Sequence, residues 1–323
     1  MKPLPAPATI PLERMRFAPL VSSTGEDTRA TLRALFSAQF EDPLDAALSI
    51  DIDDESPEID PPAGAAILLA PIPESLNPAL ERALVNTLPE PTRARLGRFA
   101  HPLRRRQSLF GRLLAQRLAN LASECADGAY YLREQPPEGP LLADCEGRCI
   151  GRFAVAHTAL GVAVSLSRRP MGIDLETRHD RPKLAELAGF ALGEAFGERI
   201  AALHRADPER AVEVFFAAWG AIESEQKMNG EDRKSAAAAI TPELDGMLQK
   251  YARPQAVDVA WDDRTPGVCA RSPLGEAVPL EYLNTPVGLL TTLGAPAGRS
   301  IELLSITPEG LLAELETHFR SFL

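Results

Sequence analysis

No stretch of this 323-residue chain approaches the roughly 20 continuous apolar residues of a membrane-spanning helix, so no membrane association is expected. The first residues lack a basic cluster followed by an apolar core, and no secretory leader is expected. Cysteine is scarce: Cys125, Cys145, Cys149 and Cys269 are scattered. Cys145-x-x-x-Cys149 could open a metal site, but no second pair or nearby histidine completes one. Reduced thiols in a cytoplasmic protein are the expectation. A basic excess is also missing. The net charge is −11, which argues against nucleic acid as the main partner. Internal repeats and long low-complexity tracts are absent.

What is present is enough chain to bury one large core or two smaller ones. Its charge is unevenly spread. Residues 1–65 hold 12 acidic and 5 basic residues, a net of −7, against 33 and 29 in the remainder, a net of −4. This first segment is proline-rich, and "DIDDESPEIDPP" (51–62) reads as a solvated linker. Within it, "TRATLRALFSAQF" (28–40) sets Leu32, Leu35, Phe36 and Phe40 on one helical face. We place a domain boundary near residue 65.

Beyond it, "AAILLAPI" (65–72) predicts a buried strand. Residues 91–122 predict helix interrupted near His101-Pro102, with a basic run that includes Arg104, Arg105, Arg106, Arg112 and Arg117. Residues 152–167 predict two strands, "PMGIDLE" (170–176) a third, and Lys183 to Met228 mostly helix. Strands return at 287–294 and 300–306, before a short helix from Pro308. Strands and helices do not alternate regularly, so the expected class is α+β.

"GIDLE" (172–176) raises a chemical question. Alternate side chains of a strand share a face, so Asp174 and Glu176 point together, away from Ile173 and Leu175. Spaced about 6.6 Å along the strand, they repel by about 2.5 kcal/mol at an effective dielectric near 20. Solvent screens that on an exposed acidic face, which on spacing alone is the plainer reading. In a cleft, a cation or proton must compensate, and Mg²⁺ suits two carboxylates plus phosphate oxygens. Some fifty residues on, "DPERAVEVFFAAWGAIESEQKMNG" (207–230) opens with an N-cap Asp207 and Pro208 and stops at Asn229-Gly230. Trp219, Glu223 and Lys227 form a column along that helix. By itself the Glu223/Lys227 pair is an ordinary surface ion pair.

Together these stretches resemble the 4'-phosphopantetheinyl transferase family of the surfactin-synthetase-activating type. Its signatures are a G-I-D-[IV]-E strand and, some forty to fifty residues later, a W-x-x-K-E-x-x-x-K helix; here they read "GIDLE" and "WGAIESEQK" (219–227). Residues 88–118, 153–176 and 286–311 are similar to the family's basic first helix, its F-N-[IL]-S-H-[ST] strand and its closing hairpin, so the likeness covers 66–323. It implies a pseudo-two-fold pair of α+β halves, 66–167 and 168–323, behind an acidic extension, 1–65. It implies Mg²⁺ on Asp174, Glu176 and Glu223, with Glu223 also as the base. His157 would hold a coenzyme A phosphate and Lys227 its pyrophosphate. The implied reaction moves phosphopantetheine from coenzyme A to a serine of an acyl or peptidyl carrier protein.

The sequence departs from the pattern in places. Ile222 stands where the family has lysine, and Ala154 and Ala156 where it has asparagine and serine. "PPEGPLL" (136–142) lacks the lysine of a G-K-P motif. Gln107 falls where an arginine often binds the nucleotide phosphate, with Arg106 adjacent as the substitute. These departures keep a second reading open, a non-catalytic descendant that binds a carrier protein or coenzyme A. Carrier proteins are typically acidic near the modified serine, so some of Arg104, Arg105, Arg106, Arg112 and Arg117 are the expected docking surface.

Overall fold

The computed structural model describes residues 29–30, 32–33, 65–125, 130–135, 139–179, 181–230, 236, 268–271, 277–285, 287–294, 300–303 and 309–313. The first half begins with β1 (Ala65–Pro71), α1 (Pro78–Asn86), α2 (Glu90–Leu96) and α3 (Pro102–Cys125). It continues through β2 (Tyr131–Gln135), β3 (Gly139–Ala143), β4 (Cys149–His157) and β5 (Gly161–Ser167). The second contains β6 (Gly172–Glu176), α4 (Leu184–Leu192), α5 (Glu194–Ala206), α6 (Pro208–Asn229), β7 (Val268–Arg271), β8 (Ala277–Thr285) and β9 (Gly288–Leu293); β10 (Ser300–Leu303) follows. The class is α+β: helices and strands come in blocks, and all but one of the strand pairings are antiparallel.

The strands form two sheets, ordered β10-β1-β5-β4-β3-β2 and β6-β9-β8-β7. Three clusters of buried side chains explain how they stack. Ala66, Leu68, Val162, Val164 and Phe153 pack with Leu109, Leu113 and Leu118 of α3 on one face of the large sheet. Leu280, Tyr282, Leu289 and Leu293 pack with the helices α4–α6 on one face of the small sheet. Between the sheets lie Ala65, Ile67, Leu69, Ala154, Ala156, Ile173, Leu175 and Leu290. Strand β1 is therefore buried on both faces, which is why its sequence is continuously apolar rather than alternating.

The termini of α6 and the start of α1 obey their sequence signals. Asp207 Oδ1 accepts from Arg210 N at 3.0 Å, Pro208 occupies the first turn, and Gly230 ends α6 at φ 69°. Such an N-cap contributes about 1 kcal/mol. Asn77 does the same for α1, accepting from Ala79 N at 2.8 Å.

Two expectations need correction. Residues 286–311 are not a closing hairpin, because β9 and β10 lie in different sheets. Strand β10 instead runs parallel to β1, so the chain after β9 returns to the first sheet rather than staying with a second half spanning 168–323. Leu32 and Leu311 are both fully buried in the first core, so the segment 1–65 contributes at least one core residue. Of the helix read at 28–40, residues 29, 30, 32 and 33 are helical. Leu35, Phe36, Phe40 and the linker 51–62 lie outside the described residues.

The halves are clasped at two turns. Gln107 Nε2 donates to Thr158 O at 2.8 Å, and Thr158 Oγ1 donates to Val287 O at 3.1 Å. Strand β6 in turn lies hard against α6: a Cβ on Gly172 would fall 1.8 Å from Ser224 O. No rotamer relieves a clash with backbone. Gly172→Ala should therefore destabilise the fold by the upper end of the about 1–3 kcal/mol usual for overpacking. Urea denaturation checks this; an unchanged midpoint would mean β6 and α6 are not in contact.

Candidate functional site

Strand β6 answers the question its sequence poses. Ile173 and Leu175 face the other sheet, and Asp174 and Glu176 face α6. The pair is not a solvated acidic face, since Asp174 is only 5% exposed. Two glycines make the approach possible, Gly172 against Ser224 and Gly220, whose added Cβ would meet Thr291 Oγ1 at 2.3 Å and lie 3.7 Å from Asp174 Oδ2. Thr291 is the cross-strand partner of Asp174 on β9.

Lys227 Nζ donates to Asp174 Oδ1 at 2.6 Å. The other oxygen, Oδ2, is enclosed and has no hydrogen-bond partner among the described residues. Burial holds Asp174 above the usual carboxylate range, opposed by the Lys227 ammonium and reinforced by the charge of Glu223. Burial, and next the Asp174 charge, push Glu176 up to about 7 against the pull of Arg181 and Lys227; Glu223 adds to the rise. Asp174, Glu176, Glu223 and Lys227 are thus brought together as one electrostatic unit. Among the described residues, no three His, Cys, Asp or Glu side chains are gathered as ligands of a single ion. The donors nevertheless fit a hard divalent cation. They are carboxylates, and one buried oxygen lacks a partner among the described residues.

Beside this unit opens a cleft of about 710 Å³. Its walls come from α2, α3 and β4 on one side and from the end of α6 on the other. Arg95, Arg104, Arg112, Arg152, His157 and Lys227 line it, and among the described residues no Asp or Glu does. Burial lowers the pKa of His157, and the charges of Lys227 and Arg104 lower it further. The imidazole is therefore neutral at pH 7, suited to donating one hydrogen bond to an anion.

The basic run on α3 does not form one docking face. Arg104, Ser108 and Arg112, four apart, turn to the cleft. Arg105 instead pairs with Glu81 at 2.8 Å. Arg106, expected to hold the coenzyme, is not among the cleft-lining residues. Gln107 is buried and serves the clasp at Thr158. Ile222 is 2% exposed in the second core, and Ala154 and Ala156 lie between the sheets. Ile222 and Ala156 thus occupy packing positions, and Ala154 both packs between the sheets and borders the cleft. The sequence reading missed Arg95 and Arg152. The i, i+4, i+8 spacing of Arg104, Ser108 and Arg112 was the available signal for the helix, whereas nothing local marks Arg95 or Arg152.

No family model matches the chain, and no curated protein matches it.

The pKa of Glu176 has a consequence for stability. Unfolded, the group ionises near its ordinary 4.5; folded, it holds its proton to about 7. Between those values the folded state binds the extra proton, so stability is greatest below pH 4.5 and falls as pH rises toward 7. The full drop from this group is about 3 kcal/mol. Urea unfolding of metal-free protein from pH 4.5 to 8 should show the fall, and Glu176→Gln should flatten it. An equal slope in the variant would place the titration elsewhere.

Proposed function

We propose that this chain is a Mg²⁺-dependent 4'-phosphopantetheinyl transferase that loads acyl or peptidyl carrier proteins from coenzyme A. The observation that carries the reading is the position of Lys227. It borders the cation-lined cleft and at the same time touches the carboxylate strand. An anion site abutting a carboxylate site suits a substrate whose pyrophosphate bridges both. The architecture supports the same view: each half is a sheet with a long helix on its outer face, α3 and α6, as a pseudo-two-fold pair would have.

Coenzyme A carries a pyrophosphate and a 3'-phosphate, and a cleft wall bearing Arg95, Arg104, Arg112, Arg152 and Lys227 suits such a polyanion. Phe99 and Phe153, also in the cleft, offer apolar surface to a base. When bound by Asp174, Glu176 and Glu223, Mg²⁺ supplies charge neutralisation for the pyrophosphate. Glu223 takes the proton of the carrier serine, directly or through water. The serine oxygen attacks the phosphorus bearing the pantetheine arm. The pyrophosphate bond breaks, and adenosine 3',5'-bisphosphate leaves, its charge met by Lys227, His157 and the arginines.

The deciding experiment is intact-mass analysis of an apo carrier protein incubated with the full chain, coenzyme A and Mg²⁺. A gain of one phosphopantetheine group is expected. Binding of coenzyme A with no gain would favour the scaffold reading, and neither binding nor gain would sink both.

Two variants separate binding from chemistry. Arg152→Ala removes a charge-assisted contact worth about 1.5–3 kcal/mol, so calorimetry should show coenzyme A affinity falling about 10- to 100-fold. Glu223→Gln should keep coenzyme A affinity while transfer falls about 10²- to 10⁴-fold. Undiminished transfer in that variant would remove Glu223 as the base.

A further inference from the structure

Lys227 borders the cleft and also contacts a carboxylate of β6. Its ammonium lies 2.6 Å from Asp174 Oδ1, yet its side chain is 28% exposed and forms part of the cleft wall. Asp174, by contrast, is almost wholly enclosed, and its Oδ2 has no hydrogen-bond partner among the described residues. A buried carboxylate requires a counter-charge. Here the protein supplies one from its own chain, and no three metal-ligating side chains are drawn around an ion among the described residues.

We propose that Lys227 is a built-in counter-ion for the carboxylate site, displaced into the cleft when a divalent cation takes Asp174. The inference rests on the reading of Asp174, Glu176 and Glu223 as a Mg²⁺ site. A divalent ion on Oδ2 and the ammonium on Oδ1 would place two cations on one carboxylate, and at that separation they repel strongly. A lysine is the side chain suited to such an exchange, being a compact charge on a flexible four-carbon stem. Its two positions, on Asp174 and in the cleft, are both within reach of one backbone site at the end of α6. The exchange links the two halves of the site. Filling the carboxylates with Mg²⁺ adds a free positive charge to a cleft that already holds four arginines, so metal raises affinity for an anion. By linkage the anion raises affinity for metal to the same degree. Without metal, the cleft keeps one cation fewer and the carboxylates stay compensated.

The test needs no substrate. The chain has five lysines, at 2, 183, 227, 234 and 250, so reductive methylation of the wild-type protein can be read at each by peptide mapping. Mg²⁺ alone should speed modification of Lys227 several-fold. Lys183, in an exposed pair with Glu186, serves as the internal reference and should not change. Equal Lys227 rates with and without saturating Mg²⁺ would overturn the proposal.

Calorimetry gives an independent arm. Lys227→Met should bind Mg²⁺ about tenfold more tightly than wild type, because the competing charge is gone. Arg181→Gln removes a different cation whose charge reaches Glu176, and it should stay within twofold of wild type. Equal gains in both variants would reduce the effect to general electrostatics and overturn the exchange, as would no gain for Lys227→Met or no Mg²⁺ binding to any form. Should Lys227→Met not fold, the labelling of the wild-type protein decides. Phosphopantetheine transfer with Lys227 labelling indifferent to Mg²⁺ would sink this proposal and leave the transferase standing. Mg²⁺-dependent labelling without transfer would do the reverse.

Discussion

The contact between β6 and α6 governs the rest of the site. Gly172 and Gly220 let strand and helix approach until Ser224 carbonyl and Thr291 hydroxyl fill the space where side chains would sit. That closeness buries Asp174, and a buried carboxylate cannot remain without a counter-charge. Lys227, two turns beyond Gly220 on the same helix, provides it. The capped length of α6 matters for the same reason. Asp207 starts the helix and Gly230 stops it one turn after Lys227, leaving that side chain at the rim of the cleft rather than along a covered helix face.

The inter-sheet core sets the direction of these groups. Ile173 and Leu175 join Ile67, Leu69, Ala154 and Ala156 between the sheets, so the period of two forces Asp174 and Glu176 toward α6. A register shift of one residue would bury both carboxylates among apolar side chains, which makes the register strongly determined. The clasp at Gln107, Thr158 and Val287 ties α3 to the turn joining β8 and β9. Both walls of the cleft are therefore held by hydrogen bonds and packing that span the two halves.

Much of this was legible from local signals. Caps and periodicity located α6, β4, β5 and β6, while it was the resemblance of the two motifs taken together that put Asp174, Glu176, Glu223 and Lys227 in one neighbourhood. Local signals failed where the partner is remote in the chain. Nothing in "SIELLSI" says that β10 will lie parallel to β1, some 230 residues earlier, rather than pair with its neighbour β9. Arg152 reads as one arginine on a strand, and only the arrival of α6 makes it part of a cleft. Gln107 looked like a lost phosphate contact, whereas its buried amide serves the fold by capping Thr158 O. Ile222 likewise looked like a missing charge and is a core residue.

These substitutions bear on what kind of anion the cleft suits. Charge lost at 107 and 222 is not missing from the site, because Arg95, Arg104, Arg112 and Arg152 supply it from α2, α3 and β4. Ammonium groups are point charges that tolerate many anion orientations, whereas guanidinium groups present a planar fork that matches two phosphate oxygens at once. A cleft whose described lining carries four arginines and one lysine therefore suits an anion held in one orientation better than a diffuse counter-ion atmosphere. The neutral state of His157 fits that arrangement. Burial, with the charges of Lys227 and Arg104 beside it, holds the ring below its ordinary pKa, so it meets an anion as a neutral hydrogen-bond donor.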